Sequence, residues 1–231
     1  MTFTIKDFNV CSVNINVLCK QCQHYYSQMN SYHHGNLKKE LLDCALKMCE
    51  RDGYTKLSIR SLAKESNVSQ TAPYRHFKTK EDLYAEIAKE GFNKLYKTIS
   101  KVKSKNIEEN LIFLGEEYVA FGVKNANTYD LMFGTAVTDF TKYPHLFQAA
   151  NQTYHHLLSL FTEYSSNKDS EFISETCIDL WAKMHGLVGL LRKLEVVPSK
   201  LLDMPDTPFM ALNSINNDLN SYIKKFIRAT Q

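Results

Sequence analysis

The chain has 231 residues, a formal net charge of +3, and 44% apolar against 23% charged side chains. That length and balance describe one or two packed soluble domains and exclude a disordered or fibrous chain. The mild basicity excludes recognition of a polyanion through net charge alone, so a nucleic-acid partner would have to be met by local clustering.

Residues 1 to 30 are rich in Asn, Ser, Cys and β-branched residues and show no helical period. Their best apolar window, FNVCSVNINVLC, is broken by Asn9, Ser12, Asn14 and Asn16, with Asp7 ahead of it. This is a poor signal peptide, and no apolar run reaches the roughly 18 residues of a membrane span. A cytoplasmic protein without membrane contact is expected. The extension is expected to be a poorly packed tail, or else Met29 is the true start. Cys11, Cys19, Cys22 and His24 have the residue types of a zinc site, but the second ligand pair of such sites is missing. No metal or other cofactor is therefore expected.

From Leu37 a helical period sets in. Leu37, Leu41, Ala45 and Met48 fall at i, i+4, i+8 and i+11, with Leu42, Leu46 and Cys49 beside them. Lys38, Lys39, Glu40, Lys47, Glu50 and Arg51 occupy the remaining face. Cys44 and Cys49 read as small apolar residues on this helix. Gly53 follows Asp52 where a left-handed cap ends a helix. Ser58 suits the N-cap of a second short helix with Ile59, Leu62 and Ala63 inward. Asn67 sits where a tight turn favours positive φ, and Val68 anchors that turn to the core.

Ser69 is then placed to cap a third helix, with Gln70, Thr71 and Ala72 as its first positions and Pro73 as the fourth. There the missing N–H costs at most one helix bond. Thr79 caps a fourth helix whose first turn carries Glu81 and Asp82, and Leu83, Ile87, Phe92 and Leu95 continue an apolar face. Further helices are expected near 107–125, 128–137, 143–165, 171–194 and 207–229, separated by Tyr143-Pro144, the polar run 165–170 and the loop between Pro198 and Pro208. The expected fold class is all-α.

Helices two and three, joined by a tight turn, fit a helix-turn-helix. The 15 residues from Ser66 to Lys80 contain no acid, which suits a surface held against a polyanion. Gln70 and Thr71, at the start of the third helix, are the candidates for reading base edges in a major groove. Ser58, Ser69, Tyr74, His76, Lys78 and Lys80 offer donors to phosphate oxygens, which position without reading sequence. Phe77 is assigned to the core.

The runs YHHGNLKKELLDCAL and LSIRSLAKESNVSQTAPYRHFKTKEDLYAEIAKEGF together resemble the N-terminal domain of the TetR/AcrR family of bacterial transcriptional regulators, from Tyr32 to Leu95. The His-His-Gly-Asn approach to helix one adds His33 and His34 as candidate DNA contacts. WAKMHGL, from Trp181 through His185, and YDLMF, from Tyr129, resemble a subgroup whose C-terminal ligand-binding domain carries a Trp…His-Gly signature. The chief departure is Asn67, where relatives usually carry glycine.

The resemblance implies a DNA-binding domain over 31–95, following the 1–30 extension, and a helical ligand-binding and dimerisation domain over 96–231. It implies a homodimer on a near-palindromic double-stranded operator, an unidentified small-molecule effector, and repression as the default mode. The helices near 171–194 and 207–229 would pair as a four-helix bundle. Candidate pocket residues are Phe113, Tyr118, Phe121, Met132, Phe133, Trp181 and His185, although core packing is the commoner role for aromatic stripes at helical spacing. His185 is placed by preference at the dimer seam.

No catalytic constellation is visible: there is no G-x-S-x-G, phosphate loop, dinucleotide fingerprint or H-E-x-x-H. Cys177 and His185 on one helix are an unsupported pair, so no enzyme is expected. Two rivals stand beside the regulator: a redox- or metal-responsive version using the N-terminal cysteines, and a helical adaptor without DNA binding.

Overall fold

The computed structural model describes residues 37–101 and 104–230. The expectations for Met29, for Cys11, Cys19, Cys22 and His24, and for His33 and His34 lie outside these residues. Among the described residues there are nine α-helices and no strand.

Helix α1 spans Leu37–Asp52 and buries Leu41, Ala45, Met48 and Cys49, the expected stripe. Gly53 ends it with φ 82°, its N–H donating to the Cys49 carbonyl at 2.9 Å. A side chain would strain at that φ, which is why glycine stands here. Helix α2 spans Ile59–Glu65, and its N-terminus is closed by reciprocal hydrogen bonds between Ser58 and Ser61. Ile59, Leu62 and Ala63 face inward, and Leu62 and Ala63 are fully buried.

The turn follows as expected. Asn67 has φ 52°, and the Val68 N–H closes onto the Ala63 carbonyl at 3.0 Å. Asparagine tolerates this left-handed conformation best after glycine.

The third helix differs from the expectation. Residues 69–72 form a turn, closed by Ala72 N–H to Ser69 carbonyl at 3.0 Å, and a single 3-10 turn follows over Pro73–Arg75. The Ser69 hydroxyl lies 3.3 Å from the Thr71 hydroxyl and caps no helix, and Pro73 is the first residue of the 3-10 turn, not the fourth of an α-helix. Pro73 has no N–H to bond the Ser69 carbonyl, and the N–H groups of Ala72, Arg75 and His76 close i→i−3 bonds, with a single i→i−4 bond from Phe77 to Pro73. Pro73 is buried and Phe77 fully so, which pins both ends of the turn to the core.

Helix α3, Lys80–Ile99, starts at a capping box between Thr79 and Asp82 and buries Leu83, Ile87, Phe92 and Leu95. Its first half packs on α1 and its length carries it into the second part of the molecule. There it lies against α4 (Ile107–Lys124), α5 (Ala126–Phe133) and α6 (Pro144–Tyr164). The α3–α5 crossing is close because residue 91 is glycine; a Cβ there would lie 2.5 Å from the Met132 sulfur and 3.0 Å from Thr128 Cγ2.

Helix α7, Ser170–Leu191, packs on α4 and α6. The last expected helix is two, α8 over Pro208–Asn217 and α9 over Leu219–Arg228, broken at Asp218 with φ −140° and ψ 65°. The run Asn216-Asn217-Asp218 supplies side chains that compete with the helix ladder, and the Asp218 carboxylate accepts from the Ser221 N–H at 3.1 Å to begin α9. Similarly, the segment expected over 128–137 stops at Phe133 and gives way to irregular backbone before a 3-10 turn at Phe140–Lys142.

Candidate nucleic-acid interface and internal cavity

Ser69, Gln70, Thr71, Tyr74, His76, Lys78 and Lys80 are all exposed, on one continuous stretch between α2 and the start of α3. Tyr74 presents nearly half its surface despite its size, 45%, whereas Phe77, three residues on, shows none. The His76 ring meets Phe77 edge-on at 6.4 Å. Arg75, also exposed, is a cation on the same turn that the sequence reading did not assign.

Lys80 Nζ reaches back to the Thr55 carbonyl at 3.3 Å and lies 5.1 Å from the centre of the Tyr84 ring. This brings the α1–α2 loop beside the start of α3. Ser58 is less free: it is half-buried, and its hydroxyl accepts from the Ser61 N–H at 3.0 Å while meeting the Ser61 hydroxyl at 2.9 Å.

Hydrogen bonds tie α1 to α5 and the start of α3 to the segment ahead of α6. At the first, Glu50 near the end of α1 caps α5. Its carboxylate accepts from the Thr128 hydroxyl at 2.8 Å, from the Thr128 N–H at 3.2 Å and from the Asn127 N–H at 3.4 Å, and its carbonyl accepts from the Asn127 amide at 2.7 Å. Asn125, the residue at the N-cap position of α5, makes no side-chain cap. A carboxylate from a different helix therefore satisfies the orphan N–H groups and meets the positive helix end. Sequence placed Glu50 on the polar face of α1 and gave no sign of this role.

At the second joint, Glu81 accepts from the Thr138 N–H at 3.2 Å, and Asp82 accepts from the Tyr143 hydroxyl at 3.0 Å. Burial works against the Asp82 carboxylate, but hydrogen bonds from Thr79 and Tyr143 outweigh it and hold its pKa below the usual range.

Between α3, α4, α5, α6 and α7 lies a cavity of about 480 Å³. Of the expected pocket residues, Tyr118, Met132, Phe133 and Trp181 line it. Phe113, Phe121 and His185 do not. Phe121 is buried in the core with Lys94 5.9 Å from its ring centre, and Phe113 is half-buried elsewhere on α4. The largest contribution missed by sequence comes from α6, which adds Phe147, Asn151, Tyr154 and Leu157. Their spacing of i, i+4, i+7 and i+10 was the available signal.

His185 stands at the end of a hydrogen-bonded chain beside the cavity. Trp181 Nε1 donates to the Tyr118 hydroxyl at 2.9 Å, Tyr118 meets Tyr129 at 2.9 Å, and Tyr129 meets His185 Nδ1 at 2.6 Å. Indole can only donate, and His185 Nδ1 also lies 3.4 Å from the Tyr118 hydroxyl, so both hydroxyls find an acceptor only if Nδ1 accepts from one of them. His185 then accepts at Nδ1 and carries its proton on Nε2.

Burial lowers the His185 pKa against the pull of Asp130, and burial raises that of Tyr118 to about 12. The whole chain is therefore neutral. His185 also borders a second, more polar depression shared with Gly53, Tyr54 and Asp130. Asp130 is itself held by the Arg192 guanidinium at 2.6 and 3.0 Å.

Cys49 and Cys177 are buried, and burial pushes both thiols up to about 11. They are inert as nucleophiles near neutral pH. No cluster of three or more metal-ligating side chains occurs among the described residues, and none of their helices is long and apolar enough to cross a membrane.

A family profile described as bacterial regulatory proteins, tetR family, matches residues 41–87, and one described as tetracyclin repressor-like, C-terminal domain, matches residues 111–200. Together they take in more than half of the chain. The chain is 26% identical over 97 residues to the uncharacterized HTH-type transcriptional regulator YobS of Bacillus subtilis. That alignment covers 42% of this chain and 51% of the relative, so the chain spans about half the length of the curated relative it matches. Among solved structures it is similar to a Rhodococcus protein of unknown function, with TM-score 0.66, 23% identity, and coverage of 84% of this chain and 96% of that one. It is also similar to the transcriptional regulator FadR of Bacillus subtilis in complex with stearoyl-CoA, with TM-score 0.59, 14% identity, and coverage of 80% and 96%. These two likenesses concern the fold alone.

Proposed function

Because the chain belongs to the TetR family of bacterial transcriptional regulators, we propose that it is a ligand-responsive repressor. As a homodimer it binds a near-palindromic operator until a small molecule fills its internal cavity. The observation that carries this reading is the path from cavity to DNA-facing segment. Met132 and Phe133 of α5 line the cavity, while Thr128 of the same helix is bonded to Glu50 of α1 and packs at Gly91 of α3. A ligand that displaces the end of α5 strains both contacts, and α3 begins at Lys80, the last residue of the reading segment.

Gln70 and Thr71 read base edges, and Ser69, Tyr74, His76, Lys78 and Lys80 hold phosphates. Ser58 acts as a helix cap first. His33 and His34 add contacts from ahead of α1. The dimer forms along α7, whose outward Ala182, Gly186 and Gly189 make a small-residue seam beside the exposed Leu190; a Cβ added at Gly186 or Gly189 would meet nothing within 4 Å in the single chain. The ligand need only prefer one of two dimer geometries, with a coupling of about 1–3 kcal/mol.

Selection of bound duplexes from a random pool tests the DNA half of this reading. The expected product is a pair of inverted half-sites about 34–36 Å apart centre to centre. Enrichment of no sequence, or of a single unpaired half-site, would remove the dimeric operator.

A further inference from the structure

The polar groups of the cavity wall can be accounted for one by one. Among the described residues the wall holds no Lys, Arg, Asp, Glu or His. The Trp181 N–H is spent on Tyr118, the Tyr118 hydroxyl is spent in the chain to His185, and the Thr153 hydroxyl donates to the Ala149 carbonyl at 3.2 Å. Two polar side chains remain. Asn151 and Tyr154 line the cavity, and neither side chain makes a hydrogen bond among the described residues. They lie one turn apart on α6, on the same face. Burial raises the Tyr154 pKa, so its hydroxyl is a donor throughout the neutral range.

A charge brought into such a wall would have no partner, and burying an unpaired ion is far costlier than burying a hydroxyl or carbonyl that finds one. A volume of about 480 Å³ falls in the range of small-molecule sites. Resting on the reading of this cavity as the effector site, we infer that its ligand is an uncharged amphiphile. Its apolar body lies among the aromatic and aliphatic walls, and its single hydroxyl or carbonyl group is held by Asn151 and Tyr154. Asn151 both donates and accepts, so the pair satisfies either group.

The chain has one tryptophan, and it lines this cavity. Trp181 emission therefore reports occupancy of the purified protein without a label and without DNA. Titration with decanol is expected to change that emission saturably. Decanoate and decylammonium, of matched length, are expected to bind more than about a hundredfold more weakly at neutral pH. Asn151→Leu and Tyr154→Phe should each weaken decanol about threefold to tenfold, since each removes one neutral hydrogen bond. Neither should weaken butylbenzene, which also shows that the variants keep the cavity. Equal or tighter binding of a charged homologue overturns the ligand class while leaving the effector site in place. An equal loss for butylbenzene and decanol overturns the role of Asn151 and Tyr154. No saturable response to any probe removes the effector site itself, and the inference with it.

Discussion

In the reading segment Ser58 closes on Ser61, Val68 on Ala63 and Asp82 on Thr79, each within five residues of its partner. Around the cavity Trp181 reaches Tyr118 across 63 residues, Tyr129 reaches His185 across 56, and Thr128 reaches Glu50 across 78. The two regions answer different demands. A DNA-reading turn must present side chains in a fixed local geometry. A cavity that signals must be tied to distant elements, so that filling it is felt elsewhere. The contrast teaches where damage should stay local and where it should spread.

The largest effect should come from Phe77→Ala. Phe77 is fully buried beneath the exposed reading face, and its loss should cost about 3–5 kcal/mol in denaturant unfolding. A cost below about 1 kcal/mol would mean that the short turn is not anchored by its core residue.

Gln70→Ala should leave stability alone and relax preference at one or two base positions by about 1–3 kcal/mol. Lys80→Ala should instead weaken all duplexes alike and lower the salt slope by about one. If the two variants behave alike in binding to matched and mismatched duplexes, the division between reading and holding residues fails.

Glu50→Gln probes the long-range side of the comparison. It removes the charge that meets the α5 N-terminus and should cost about 1–2 kcal/mol of stability. It should also reduce the response of DNA affinity to cavity ligands, leaving affinity without ligand nearly unchanged. A ligand response equal to wild type would show that the signal takes another path.

The smallest effect is one of pH. Burial lowers the pKa of both His156 on α6 and His185 on α7. A histidine whose folded pKa is lowered takes up its proton first in the unfolded chain, so stability is lost as pH falls below about 6.5. Thermal unfolding should therefore weaken there, and a His156→Gln, His185→Gln pair should flatten the dependence. Asp82, with its pKa lowered, contributes stability that is lost only in the carboxylate range far below. An unchanged pH profile in the double variant would place the titrating groups elsewhere.

Gly53, Ser58, Asn67 and Thr79 were legible because each does its work through neighbours in sequence, and the residue type itself names the conformation. Pro73 was half legible: its cost to a helix was visible, but a turn of 3-10 geometry with the proline at its first position was not. Pro73 and Phe77 are both buried in that turn, which residue type alone did not mark for the proline.

In the cavity the aromatic spacing located Tyr118, Phe133 and Trp181 but also admitted Phe113 and Phe121, because a helix has more than one apolar face and only packing decides which face meets a void. Asn151 and Tyr154 share a helix face with Phe147 and Leu157, but that spacing does not mark the face as lining a cavity, since a polar residue on an amphipathic helix looks the same beside a cavity as beside water. Glu50 was hidden for the same reason. Its partner lies 78 residues away, at a helix start that no local pattern marks as lacking a cap.

The central claim is that filling the cavity is felt at the reading segment. Fluorescence anisotropy of a labelled duplex, chosen by selection from the random pool and titrated with the protein at saturating and at zero decanol, tests it most directly. Occupancy, verified by Trp181 emission in the same sample, should weaken DNA binding by about fivefold or more. Superimposable titrations with the cavity demonstrably filled would contradict it.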